Sequence, residues 1–299
     1  MKILVFGSLN IDHTYQVPHL VRPGETLAST HYQKNEGGKG FNQTVALAKA
    51  GQEVYFAGAI GQDGLFLKEY LEALGVHVEH LRTLDAATGH AIIQIDSAGQ
   101  NAILLFSGTN GMISPEMIEA TLADFKAGDY LLLQNEISHG ADLLRAAHAR
   151  GMHVILNPSP ITPELLCWPL ELVEWFLLNE VEGEDITGCH QPEDMLDVLL
   201  RRYPTSHVVL TLGEHGSIYA DAQRRVRQSA IKCTAVDTTA AGDTFTGYFL
   251  HAMLQGMDIQ QALRTAAQAS AIAVSRPGAG KSIPLAEEVR KALEAAGNT

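Results

Sequence analysis

The chain has 299 residues, 46% of them hydrophobic, enough to bury the core of one large α/β domain or two smaller ones. Its 21 Lys and Arg against 34 Asp and Glu give a formal net charge of −13, a surface ill suited to tracking a nucleic-acid backbone or an anionic membrane. Cys167, Cys189 and Cys233 are widely spaced with no C-x-x-C pair, which argues against a disulfide framework or a zinc cage and suits a reducing cytoplasm.

In chain order, residues 2–9 form a short apolar run that reads as a buried first strand rather than a signal peptide. No apolar run approaches the ~18 residues of a membrane span. Asn10 and Asp12 follow directly, and polar groups just past a parallel strand are where open α/β sheets bind ligands. Residues 14–34 contain Pro18, Pro23 and Gly24 and read as a loop or short strands outside the main layer. Then comes E-G-G-K-G-F-N-Q, residues 36–43, opening an apolar helix that ends at Gly51. Gly37, Gly38 and Gly40 let the backbone approach a ligand closely, and Lys39 and Asn42 supply donors at the helix mouth.

Residues 53–60 predict a second strand, followed by a turn at 61–64 and a helix through Leu74. Residues 90–96 and 101–106 flank Ser97-Ala98-Gly99-Gln100, a hairpin signal that breaks the alternation of strand and helix. The hairpin and the 14–34 segment are therefore expected to form a flap outside the main sheet. Alternation then resumes, which predicts a parallel sheet with helices on both faces. Helices open at Ser114-Pro115, Ser138, Thr162-Pro163 and Gln191-Pro192. Strands are expected at 129–134, 153–156, 174–178 and 207–212, with an antiparallel pair at 217–220 and 226–231. Further helices follow at 247–255, 259–275 and 284–295. Polar or glycine residues follow strand after strand: Asn10 and Asp12, Asn135 and Glu136, Asn157, Asn179 and Glu182, then Gly213. In a parallel sheet these ends share one edge, so one cleft could gather them.

The most informative stretch is V-D-T-T-A-A-G-D-T-F-T-G-Y-F, residues 236–249. It is expected to leave a β-branched, strand-like run and enter a helix with Phe245, Phe249, Ala252 and Met253 on one face. Ala240, Ala241 and Gly242 are too small to shield their N–H groups, so a helix starting here offers an anion site. Asp243 lies one residue beyond, where a general base would meet a bound phosphate. A helix-mouth anion hole, a nearby carboxylate and acidic strand ends suggest phosphoryl transfer. The familiar P-loop is absent: Gly280-Lys281-Ser282 imitates its end, but its first glycine would fall at Ser275. No dinucleotide fingerprint or H-E-x-x-H spacing is present.

Taken together, G-G-K-G-F-N-Q (37–43) and D-T-T-A-A-G-D-T-F (237–245) resemble the ribokinase-like sugar kinases of the PfkB family. N-E-V-E (179–182) and T-L-G (211–213) fit the same resemblance, which runs from the first strand to the last helices. It implies one ribokinase-like three-layer α/β/α domain over residues 1–299, with a mostly parallel central sheet. A small β-sheet lid would come from roughly 12–36 and 90–107. The implied activity is transfer of the ATP γ-phosphate to a primary hydroxyl of a small sugar, ribose first. The alternatives are another sugar, a sugar phosphate, a nucleoside, or a non-catalytic sugar or nucleotide sensor. Asp243 would be the base, and Ala240, Ala241 and Gly242 the anion hole. Asn10, Asp12, Gly38, Lys39, Asn42 and Glu136 would hold sugar hydroxyls. Asn179, Thr211 and Gly213 would contact the nucleotide, and Glu182 would help hold Mg²⁺ through water. A monovalent cation, usually potassium, would sit among Asp237, Thr239, Ala273, Arg276, Gly278 and Ser282. The lid, with Ile93, Ile95, Ile103 and Leu105 on an apolar face, would pair two subunits into a homodimer. One departure is Phe41, where such kinases commonly carry alanine; beside the sugar contacts it could reshape the pocket.

Overall fold

Successive side chains of a strand point to opposite faces, and in β1 (Ile3–Phe6) this alternation already separates two cores. Ile3 and Val5 enter one apolar layer, Leu4 and Phe6 the other, and all four are buried. Each such side chain contributes roughly 1.5–3 kcal/mol. The computed structural model describes residues 1–297. Among them, the division continues across a nine-stranded sheet. β1 lies between β4 (Tyr55–Ile60), which pairs onward to β5 (His77–Thr83), and β8 (Tyr130–Gln134). Beyond β8 come β9 (His153–Asn157), β10 (Trp175–Asn179) and β11 (His207–Thr211), all parallel. β12 (Ser217–Ala220) and β13 (Arg225–Gln228) finish that side antiparallel.

One core layer is covered by α1 (Lys39–Lys49), α2 (Leu65–Ala73), α7 (Ala241–Leu254), α8 (Ile259–Val274) and α9 (Ala286–Gly297). The other is covered by α3 (Pro115–Leu122), α4 (Gly140–Ala149), α5 (Glu180–Thr187) and α6 (Pro192–Arg202). The result is the expected three-layer α/β/α arrangement. The chain steps outward from β1 to β4 and β5, then returns to β8 and steps the other way. That reversal opens a crevice at the C-terminal ends of β1 and β8, the switch point where such sheets bind ligands.

A separate four-stranded sheet stands over this edge in the order β3 (His31–Gly37), β2 (Asn10–Gln16), β6 (Gly89–Ile95), β7 (Asn101–Phe106). It is the expected flap, with the 97–100 hairpin joining β6 to β7. Every residue of β7 is exposed, including Ile103, Leu104, Leu105 and Phe106.

Several sequence expectations need correction. Asn10 and Asp12 do not trail the first strand of the main sheet. That strand ends at Phe6, and both residues belong to β2, so they reach the crevice from the lid. The lid strands accordingly begin at Asn10 and Gly89 rather than at 12 and 90. β5 was not anticipated; its sequence H-V-E-H-L-R-T lies on an edge and lacks clean alternation. Thr162-Pro163 opens no α-helix. The segment makes two short 3₁₀ turns, Leu165–Cys167 and Leu170–Leu172, with Pro169 between them removing a helical N–H. The approach to α7, residues 229–240, is irregular rather than a strand.

Candidate active site

Ala240 adopts the left-handed conformation at φ 58° and turns the chain into α7. No side chain caps this helix start. The Ala241 N–H closes a turn on the Thr238 carbonyl at 3.2 Å, so within the Ala-Ala-Gly trio it faces inward. Gly242 and Asp243 occupy first-turn positions whose N–H groups have no partner inside a helix. A Cβ added at Gly242 would meet nothing within 4 Å. This mouth opens on a cleft of about 220 Å³ lined by Lys39, Asn157, Asn179, Glu182, Thr211, Thr238 and residues 240–243, among others.

Asp243 is held from α1. Asn42 Nδ2 donates to its Oδ2 at 3.2 Å, and Gln43 Nε2 donates to its Oδ1 at 2.9 Å. The Asn42 Oδ1 is buried without a protein partner, an acceptor suited to a ligand hydroxyl. Lys39 is the cation of the site. Burial alone would push its ammonium pKa down, but Asp243, Glu136 and Glu182 around it reverse this and hold it above the usual lysine value.

The other wall carries polar side chains. Glu136, just past β8, accepts from the Lys39 N–H at 3.0 Å and from the Ser8 hydroxyl, which itself accepts from the Gly40 N–H at 3.2 Å. Burial raises the Glu136 pKa even with Lys39 beside it. Asp12 is also raised, to about 7, by burial first and then by Glu136 and Glu36. Its carboxylate fills the space where Gly37 would carry a Cβ, at 2.3–2.5 Å. Gly38, at φ 94°, lies so near Ser8 and Asn10 that a Cβ would approach the Asn10 nitrogen at 2.9 Å. Asn10 is oriented by Asn110, whose Nδ2 donates to Asn10 Oδ1 at 2.8 Å while its other contacts grip the main chain of Leu9.

At the ends of β10 and β11, Asn179 and Glu182 form a reciprocal capping box on α5. Glu182 N–H donates to Asn179 Oδ1 at 2.9 Å, and Asn179 N–H to Glu182 Oε2 at 2.9 Å. The Asn179 amide also donates to Glu182 Oε1 at 3.1 Å, so its polar atoms are committed to the cap. Glu182 lines the cleft, and each carboxylate oxygen, accepting one bond from Asn179, keeps further acceptor capacity that suits a water-mediated cation contact. Strand register sets Thr211 beside Asn179. Gly213 begins a 3₁₀ turn just beyond and does not line the cleft.

The loop after α8 meets the approach to α7 at Asp237. Its carboxylate accepts from the N–H groups of Thr239 and Gly278, both at 2.9 Å. Burial would raise its pKa, but the bonds from Thr239 and Gly278 hold it below the usual range. The Ser282 hydroxyl is buried and donates to the Ala279 carbonyl at 2.8 Å; the Ala273 carbonyl accepts from the Arg276 N–H at 3.1 Å. The Arg276 guanidinium pairs with Glu288 and takes no part. Asp237 and the oxygens of the other residues are hard donors of the kind an alkali cation takes.

Comparison with known proteins decides the family. Residues 1–286 match the pfkB family carbohydrate kinase. The chain belongs to that family. A ribokinase of Haemophilus influenzae is 36% identical over 98% of both chains. The ribokinase of Cryptococcus neoformans solved with ADP superposes with a TM-score of 0.86 at 35% identity, covering 97% of this chain and 99% of the other. The Arabidopsis thaliana ribokinase solved with ribose and ATP gives 0.86 at 31% identity over 98% of each. As a PfkB-family carbohydrate kinase the protein is a phosphotransferase acting on a sugar hydroxyl.

Within this PfkB kinase, Phe41 does not point into the sugar pocket. Its ring is fully buried, 5.5 Å from the Tyr70 ring and against Gly280. Four polar residues of the site were given no role from sequence: Ser8, Gln43, Asn110 and Gln134. Gln43 lies inside the quoted G-G-K-G-F-N-Q motif and Gln134 ends a predicted strand, so both carried a signal. Asn110 carried none, because its partners lie about a hundred residues away in the chain.

Proposed function

We propose that this protein is an ATP-dependent ribokinase that converts D-ribose to ribose 5-phosphate. The observation that carries the reading is a carboxylate, Asp243, gripped by two amides beside an uncapped helix mouth. Asn10, Asp12, Gly38, Lys39, Asn42 and Glu136 hold the sugar hydroxyls. The orphan Asn42 carbonyl and the crowded Asp12–Glu136 pair both gain from a hydroxyl donor. Asp243 takes the proton of the primary hydroxyl as its oxygen forms a bond to the γ-phosphorus. The bond from that phosphorus to the β–γ bridging oxygen breaks, and ADP leaves. The main-chain N–H groups of Ala240 and Gly242 receive the charge of the transferring group, Ala241 holds the turn that presents them through its bond to the Thr238 carbonyl, and the Lys39 ammonium adds to the field.

Thr211 borders the nucleotide, with Asn179 shaping that wall as a helix cap and Gly213 turning the chain just outside the cleft. Glu182 would hold Mg²⁺ through water, and that ion would supply neutralisation of the phosphates. Potassium would be held by Asp237 with oxygens of Thr239, Ala273, Gly278 and Ser282, and the carbonyl rather than the guanidinium of Arg276. The chain works as a single domain whose lid excludes water from the transfer. Two subunits pair through the exposed β7 face, which is too apolar to stay uncovered. Cytoplasmic action fits the unpaired cysteines; among the described residues, no helix is long and apolar enough to cross a membrane.

The test is ATP-dependent phosphorylation across a panel of ribose, deoxyribose, hexoses and nucleosides, with and without potassium. Ribose should have the highest kcat/KM and potassium should raise it. Asp243→Asn should stay folded and lose ~10²–10⁴-fold of turnover. A folded Asp243→Asn with unchanged turnover, or a panel in which no sugar is phosphorylated, ends the reading.

A further inference from the structure

The geometry points to Gln43 as the positioning residue for the base, with its direction imposed by Gln134 and Asn157. This rests on Asp243 being the base. A carboxylate acting as base only accepts hydrogen bonds. Gln43 must therefore turn its NH₂ toward Asp243 Oδ1, at 2.9 Å, and its carbonyl away. That carbonyl receives the Gln134 Nε2 at 2.6 Å. The second Gln43 hydrogen goes to Asn157 Oδ1 at 3.3 Å. Asn157 has no freedom to reverse, because its NH₂ is spent on the Leu177 carbonyl of β10 at 2.8 Å. A main-chain carbonyl thus orients Asn157, which with Gln134 orients Gln43, which orients the carboxylate.

The relay is built into the sheet. Gln134 and Asn157 are register partners at the C-terminal ends of β8 and β9. Gln43 and Gln134 are fully buried behind Asp243, so neither is placed to meet solvent-borne ligand directly. The Gln134 Oε1 is buried with no partner. Retaining a glutamine with one unsatisfied atom at this position makes sense if its other end has a task, since a group left unpaired in a core is a cost. Asn42 alone, at 3.2 Å to the second carboxylate oxygen, would leave the carboxylate free to pivot.

The test separates positioning from packing by kinetics. Gln43→Leu should lower kcat by ~10²-fold, the scale set by a misplaced catalytic group, with the ribose KM within about 2-fold of wild type. Gln134→Met, one step further from the carboxylate, should lower kcat by about 10-fold with the same unchanged KM. Added to Gln43→Leu it should cost nothing more, because the relay is already cut; this coupling is what a double-mutant cycle reads. In an Asp243→Asn background, residual turnover should not respond to Gln43→Leu. Thermal melts establish that the variants compared are folded. Wild-type kcat in folded Gln43→Leu and Gln134→Met, beside an inactive Asp243→Asn, overturns the relay while leaving the base in place. Wild-type turnover in folded Asp243→Asn removes the base, and the relay with it. Strictly additive losses in kcat also overturn the relay.

Discussion

The two walls around Asp243 are built in opposite ways. On the proposed phosphate side, Ala240, Ala241 and Gly242 present main chain and almost nothing else, and no side chain caps the helix behind them. On the proposed sugar side, Ser8 bonds Glu136 and Asn110 bonds Asn10, with Asp12 buried against Glu136 and Asn42 holding Asp243, so polar side chains furnish the wall. The difference fits what each wall is proposed to recognise. A phosphoryl group carries charge that a helix terminus meets without any side-chain specificity. A neutral sugar is distinguished only by where its hydroxyls point, which demands donors and acceptors fixed in advance.

The contrast breaks first if the bare wall is given a side chain. Gly242→Val adds bulk at a position with open space around it, so folding should be unaffected. A helical Cβ tilts back toward the N-terminus, which places the new methyl groups over the amides. Turnover should fall by ~10²–10³-fold, the usual cost of losing oxyanion-type donors, while the ribose KM holds steady. Steady-state kinetics on both substrates measures this; an unimpaired Gly242→Val enzyme would mean that phosphate is not received there.

Sequence disclosed the bare wall more fully than the furnished one. The run Ala240-Ala241-Gly242 advertises close backbone approach in adjacent residues, so local reading suffices there, as it does for the Gly37-Gly38-Lys39-Gly40 run at the border of the furnished wall. The furnished wall is assembled from β1, β2, β8 and the segment after β7, and no local pattern marks that Asn110 will meet Asn10. Asn10 and Asp12 were read as strand-end residues because the apolar run continues to Leu9, although pairing in β1 stops at Phe6. α5 escaped notice because E-V-E-G-E-D-I-T has a single buried aliphatic, Ile186, and owes its start to the Asn179–Glu182 cap. The three layers themselves were legible from the alternation of apolar strands with capped, proline-opened helices.

Phe41 sharpens the comparison from the opposite direction. Sequence placed it beside the sugar contacts, where it could reshape the pocket, yet its ring packs against Tyr70 of α2 and the loop at Gly280. Phe41→Ala should therefore cost stability, about 3 kcal/mol at the low end for a buried phenylalanine, and leave the ribose KM within about 2-fold. Urea unfolding together with sugar saturation separates the two effects. A large KM change with little loss of stability would return Phe41 to the pocket.

The smallest effect expected is electrostatic and lies wholly in the furnished wall. The Asp12 carboxyl titrates at about 7 in the folded protein against 3.8 for a free one, because it is buried and faces Glu136 and Glu36. A carboxyl raised on folding binds its proton more tightly in the native state. Its contribution to stability is complete below about pH 4 and is lost as pH rises through 7. Asp12→Asn removes the charge that causes this loss. It should leave stability nearly unchanged near pH 4 and raise it near pH 8 by about 2 kcal/mol. That is half of what a three-unit shift implies at ~1.4 kcal/mol per unit, since the charge is shared with two neighbours. The same variant should raise the ribose KM at pH 8, because the strained carboxylate is the acceptor a sugar hydroxyl relieves. Urea midpoints at the two pH values provide the measurement. An equal stability difference at both would show that Asp12 carries no such strain, and that the polar wall recognises sugar by shape alone.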